Sequence, residues 1–95
     1  MECHFLMYYA YVLRSAKDHK LYIGFTKDLK KRFNLHQSGQ VKATKGRLPV
    51  KLIFYEAYLD KEDALRREKY FKTNPGRRAL KLMLRSYLAK TGAIV

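Results

Sequence analysis

Two tyrosine-bearing segments, Tyr9-Ala10-Tyr11 and Tyr22-Ile23-Gly24, precede a helical stripe of Leu29, Arg32, Phe33 and His36. Phenol, guanidinium and imidazole groups thereby collect at the margin of what reads as a hydrophobic core. A forked guanidinium holds an anion through paired donors. A phenol accepts a proton only when its pKa of about 10 is lowered or a neighbour carries the proton onward. A second stripe repeats the anomaly: Ala64, Leu65, Glu68 and Phe71 fall at i, i+1, i+4 and i+7, which sets a carboxylate among core-facing residues. A buried carboxylate left unpaired is strongly destabilising or becomes protonated, so Glu68 needs a partner. Arg32, in a structural ion pair, or a divalent metal would serve.

Each group also has a plainer explanation. An arginine on an apolar stripe commonly packs its stem and leaves its head in water. Eight tyrosines fill a small core that lacks tryptophan, and this suits Tyr8 and Tyr55 well. Tyr11 and Tyr22 differ because they fall in adjacent strands, where two hydroxyls converge on one pocket. Arg32, a metal and a basic surround would all pull a tyrosine pKa down.

The elements that must position these groups follow from periodicity. Met7 to Arg14 alternate, with Met7, Tyr9, Tyr11 and Leu13 on one side and Tyr8, Ala10, Val12 and Arg14 on the other, as in a strand used on both faces. A short polar connection, Ser15 to His19, leads to a second strand, Lys20 to Gly24, and completes a hairpin. Gly24 is expected to end that strand where a backbone passes close. From about Lys27 to Gln37 the period is helical, with Asp28 near the start. Ser38 to Pro49 shows no period and reads as a basic loop, whose Lys42, Lys45 and Arg47 are expected to meet phosphates.

Val50 to Leu59 is a third strand, and Asp60 with Asp63 opens a helix through Lys72 in a weakened capping box. Asn74-Pro75 breaks the chain, Pro75 being suited to the first turn of a last helix. That helix puts Leu80, Leu84, Tyr87 and Leu88 on a core stripe and Arg77, Arg78, Lys81 and Arg85 largely off it, with Gly92 as its C-cap. The expectation is one α+β domain over 1–95 with its core at about 8–88, residues 1–6 being either an upstream extension or a frayed, disordered end.

Composition supports a single domain and points to its partner. At 95 residues, 47% hydrophobic, the chain buries enough surface for one core. Twenty-one Lys and Arg against eight Asp and Glu give a net charge of +13, for which nucleic acid is the default partner. No segment is long and apolar enough to span a bilayer, so no membrane association is expected. The single cysteine, Cys3, fits a reducing cytoplasm, and with His4 beside it but no further ligands it makes no structural zinc site.

Taken in order, the two tripeptides, Arg32 ten residues after Tyr22, His36 four further on, and Glu68 on a later helix resemble the GIY-YIG nuclease superfamily. More narrowly, the chain resembles the small single-domain bacterial branch of that superfamily, from Tyr8 to about Tyr87. The second tripeptide matches fully. In the first, Tyr9 and Ala10 replace Gly and Ile, and Tyr11 is retained.

The resemblance implies a three-stranded antiparallel β-sheet flanked by α-helices. It also implies a metal-dependent endonuclease that hydrolyses DNA phosphodiester bonds with one Mg2+ or Mn2+ ion, in repair or recombination, with RNA left open as the polymer. By position, Glu68 would be the metal ligand, Arg32 would hold the scissile phosphate, Tyr11 or Tyr22 would activate or orient the attacking water, and His36 would support a tyrosine or the phosphate. Asn74 is the possible counterpart of a polar residue that the family often carries beyond the glutamate. Lys42, Lys45, Arg47, Arg77 and Arg78 are the expected nucleic-acid contacts. The alternative is a nucleic-acid-binding module of the same fold with weak or no catalysis.

Overall fold

A computed structural model describes residues 6–91 of the chain. The Cys3-His4 pair and the expected cap at Gly92 lie outside them. Three strands, β1 (Tyr8–Ser15), β2 (Leu21–Thr26) and β3 (Val50–Tyr58), form an antiparallel sheet in the order β2-β1-β3. The architecture is the expected α+β one, with the hairpin in place.

β1 is central, with both edges paired, and side chains pack against it on both faces of the sheet, so Ala10 to Ser15 are all buried. The alternation read from the sequence therefore sorts two cores rather than one core and a wet face. Tyr11 and Leu13 pack with Val50, Tyr22, Leu29, Phe33, Leu48 and Leu52 on the side covered by α1 (Leu29–Gln37). Val12 packs with Ile23, Phe71 and Leu80 on the opposite side, beneath α3 (Lys61–Phe71) and α4 (Asn74–Met83). Short helices α2 (Lys42–Lys45) and α5 (Arg85–Lys90) complete the set.

Local chemistry sets the boundaries. The Ser15 hydroxyl accepts from the backbone amides of Lys17 and Asp18 and donates to the Arg47 carbonyl, and His19 adopts a left-handed φ of 61° to complete the turn. Asp28, Asp60 and Thr73 cap α1, α3 and α4, accepting from the amides of Lys31, Glu62 and Gly76. The reciprocal half of the capping box is not made, because Asp63 instead pairs with Arg66 at 2.9 Å. Gly76 is required where α4 turns against the end of α3, since a Cβ there would collide with the Tyr70 carbonyl. On the same side of the sheet, Glu56 of β3 receives two bonds from Arg67 of α3, at 2.8 and 3.2 Å, and holds that helix against the strand.

Four expectations change. Gly24 lies within β2 rather than at its end, and what passes close is a side chain: a Cβ at Gly24 would strike the ring and hydroxyl of Tyr11. The basic loop contains α2, which folds because Val41 and Thr44 are buried beneath it. The single last helix is two, interrupted at Leu84, although Leu80 and Leu88 still fall on the buried side of both. Tyr55 is 51% exposed rather than core, because β3 is an edge strand, and it meets Tyr9 edge-on.

Candidate active site

The α1 face of the sheet is where the sequence-predicted groups meet. Tyr11 and Tyr22 project from β1 and β2 to the same side, their register offset by the Tyr11–Gly24 and Leu13–Tyr22 pairs. With no side chain on Gly24, the Tyr11 ring leans across β2 and comes within 6.3 Å of the Tyr22 ring, centroid to centroid. From above, α1 lowers His36 onto both rings, at 5.7 and 5.1 Å, edge to face.

The polar atoms form one connected set. Tyr11 Oη and His36 Nε2 are hydrogen-bonded at 2.8 Å, and Arg32 Nε donates to the same oxygen at 3.4 Å. On its far side His36 Nδ1 is hydrogen-bonded to Thr44 Oγ1 at 2.7 Å. Tyr11, His36 and Thr44 are fully buried, whereas Tyr22 and Arg32 are half-buried. Thr44 was missed by sequence reasoning, which saw only a basic loop around it. Its one signal was a β-branched residue without charge between Lys42 and Lys45.

Burial and charge act against ionisation in the interior. His36 is pushed down to about 4, first by burial and then by the Arg32 charge, so it is neutral at pH 7. Tyr11 is pushed up to about 12: burial raises it, and Arg32 lowers it by less. The expected net fall in a tyrosine pKa is thus reversed at Tyr11. The guanidinium of Arg32 is held more firmly charged by its bond to Tyr11.

Glu68 sits elsewhere. It belongs to α3, which packs on the other face of the sheet, and its carboxylate is paired with Lys72 one turn later at 2.8 Å. Its side chain is only 16% exposed, as the stripe required, but the structural ion pair with Arg32 is not formed among the described residues. A lysine on the next helical turn satisfies the carboxylate locally, and Arg32 is taken by Tyr11. Asn74 is exposed at the start of α4, where Thr73 does the capping.

The five basic residues divide. Lys42 and Lys45 are exposed on α2, beside the tyrosine–histidine site. Arg77 and Arg78 are exposed on α4, in the layer across the sheet. Arg47 is half-buried beside Asp18, Nε to Oδ2 3.4 Å, and braces the hairpin turn through its carbonyl.

A three-stranded sheet with paired tyrosines, an arginine and a histidine on one face defines a class, and comparison with known proteins gives the same one. The family model of the GIY-YIG catalytic domain matches residues 7–81, so the chain belongs to that family. The particular relatives are UPF0213 proteins. That of Streptococcus agalactiae is 48% identical over 65 residues, 67% of this chain and 73% of the relative, and that of Staphylococcus saprophyticus is 42% identical over 77 residues, 80% and 93%. The solution NMR structure of the UPF0213 protein BH0048 of Bacillus halodurans superposes with a TM-score of 0.52 at 34% identity, covering 81% of this chain and 84% of that one. No described helix is long and apolar enough to cross a membrane.

Proposed function

We propose that the protein is a metal-dependent endonuclease that hydrolyses phosphodiester bonds in DNA, in the setting of repair or recombination. The observation that carries this reading is the hydrogen-bonded Arg32–Tyr11–His36 set on the α1 face, of which Arg32, with the neighbouring Tyr22, is half-buried rather than fully buried. Arg32 spends its Nε on Tyr11, which fixes the guanidinium plane and leaves its terminal nitrogens for the scissile phosphate and the charge that develops on it. Tyr11 is buried and protonated, and so serves to hold Arg32. The accessible phenol is Tyr22, which the reading assigns to orienting and activating the attacking water, with His36 supporting the pair.

Glu68 is the residue this reading assigns to one Mg2+ or Mn2+ ion; its helix packs on the opposite face of the sheet from Arg32, so the DNA backbone would have to reach both groups. A site with a single carboxylate suits a hard cation that keeps most of its waters and takes the remaining oxygens from the substrate. The ion would supply charge neutralisation at the phosphate. Lys72 holds Glu68 Oε2 here, so its ammonium would compete with an ion for the carboxylate. Lys42 and Lys45 flank the site and would track the backbone, with Arg47, Arg77 and Arg78 as outer contacts.

Incubating the protein with branched, nicked and plain DNA, with and without magnesium, tests this reading. Cleavage is expected only with the metal and is expected to vanish in Glu68→Ala. Product from Glu68→Ala would overturn it. A nucleic-acid-binding module with weak or no catalysis is the second reading, favoured by the pairing of Glu68 with Lys72. It requires equal affinity for wild type and Glu68→Ala, no product from either, and a salt slope of about −0.9 per phosphate neutralised.

A further inference from the structure

His36 is neutral and has one ring proton to place between two hydroxyl partners, Tyr11 Oη at 2.8 Å and Thr44 Oγ1 at 2.7 Å. Which nitrogen carries it decides which way the whole set points. Thr44 settles the matter by its own needs. Its hydroxyl is 0% exposed, and among the described residues its only hydrogen-bond partner is His36 Nδ1. A buried hydroxyl has a single proton and seldom leaves it unbonded. If Nδ1 carried the ring proton, Thr44 would accept it and strand its own.

We propose that Thr44 is a positioning residue: it donates to Nδ1 and fixes His36 as the Nε2–H tautomer, so that His36 donates to the Tyr11 oxygen. That oxygen then accepts from His36 Nε2 and Arg32 Nε together, and the Tyr11 proton must leave on the remaining side, toward the half-buried Tyr22. The donors then run in one direction, Thr44 to His36 to Tyr11, and the half-buried Tyr22 ring is the neighbour of Tyr11 at 6.3 Å between centroids. A phenolate formed at Tyr22 during catalysis would be faced by donors rather than by lone pairs. The consequence for Tyr22 rests on the nuclease reading; the tautomer does not.

The test is the two-bond 1H–15N correlation spectrum of histidine-labelled protein at pH 7, free of DNA and metal. His36 is assigned against the His4→Gln and His19→Asn variants. Wild type and Thr44→Ser should show the Nε2–H pattern, and Thr44→Val, which keeps the shape without the hydroxyl, should shift toward Nδ1–H. An Nδ1–H pattern in wild type overturns the proposal, and so does an unchanged pattern in Thr44→Val. Should Thr44→Val not fold, the wild-type spectrum decides by itself. Failure of the nuclease reading is seen separately, as absence of cleavage by wild-type protein.

Discussion

The two faces of the sheet are built from opposite materials. On the α3 side Val12, Ile23, Phe71 and Leu80 form an apolar core in which Phe54 and Phe71 meet edge to face. Its charged groups are tied down by partners, as in the Glu56–Arg67 clamp and in the buried Arg14, which donates to Thr91 Oγ1 at 2.9 Å. On the α1 side a tyrosine, a histidine and a threonine are fully buried within a few ångströms of one another. One strand, β1, supplies both sides. A buried polar set is tolerated where its members satisfy each other, and the neighbouring apolar layer carries the stability that allows it.

The largest expected effect should therefore come from the apolar face. Phe71→Ala is expected to destabilise the fold by about 3–5 kcal/mol in urea denaturation, the range for an emptied aromatic core site. A loss below about 1 kcal/mol would mean that the two faces share the burden equally.

Acid should single out the polar face. His36 is neutral when folded with a pKa of about 4, below its ordinary 6.5, so the folded state binds fewer protons than the unfolded one between those values. Stability should be at its plateau above pH 6.5 and fall by about 3 kcal/mol as pH drops through that window. In His36→Gln this component should disappear; an identical acid profile would contradict the burial of a neutral imidazole.

Arg32→Ala separates chemistry from stability. Because Arg32 bonds Tyr11 rather than Glu68, the fold should lose only about 1 kcal/mol, not the roughly 3–5 expected when a buried carboxylate is stranded. DNA cleavage should fall about 10²–10³-fold. Thermal melts beside a nicking assay would show both.

The smallest effect belongs to Lys72→Met on α3. The Lys72 side chain is half exposed and Glu68 keeps an edge in water, so water takes the place of the ammonium at the carboxylate and the loss should stay within about 1 kcal/mol. It should also tighten magnesium binding at Glu68, measurable by calorimetry, since the ammonium no longer competes. Weaker binding would show that Lys72 assists the ion.

Most of the fold is legible in the sequence because period and burial agree along β1, β2, β3 and the long helices. The candidate site is legible as residue types: Tyr11, Tyr22, Arg32 and His36 do share one face. Their partners are not. Helical spacing put Arg32 and Glu68 each on a buried stripe, and nothing in spacing says that the two stripes press on opposite sides of a sheet. Thr44 was hidden because a four-residue helix has too few residues to show a period. Gly24 looked like a strand end because a glycine records only that something is near, not whether it is backbone or ring.

That glycine ties competence to the order of assembly. The Tyr11 ring reaches His36 only where β2 offers a position without a side chain, opposite Tyr11 in the β1–β2 pairing. A hairpin slipped by one residue puts Ile23 or Phe25 in that place and turns Tyr22 to the other side. A misregistered or half-folded chain thus lacks the constellation altogether, although every residue of it is present. The tyrosine–histidine–arginine set is assembled only after the strands have found their correct partners, so that folding itself is the first check on any chemistry the set performs.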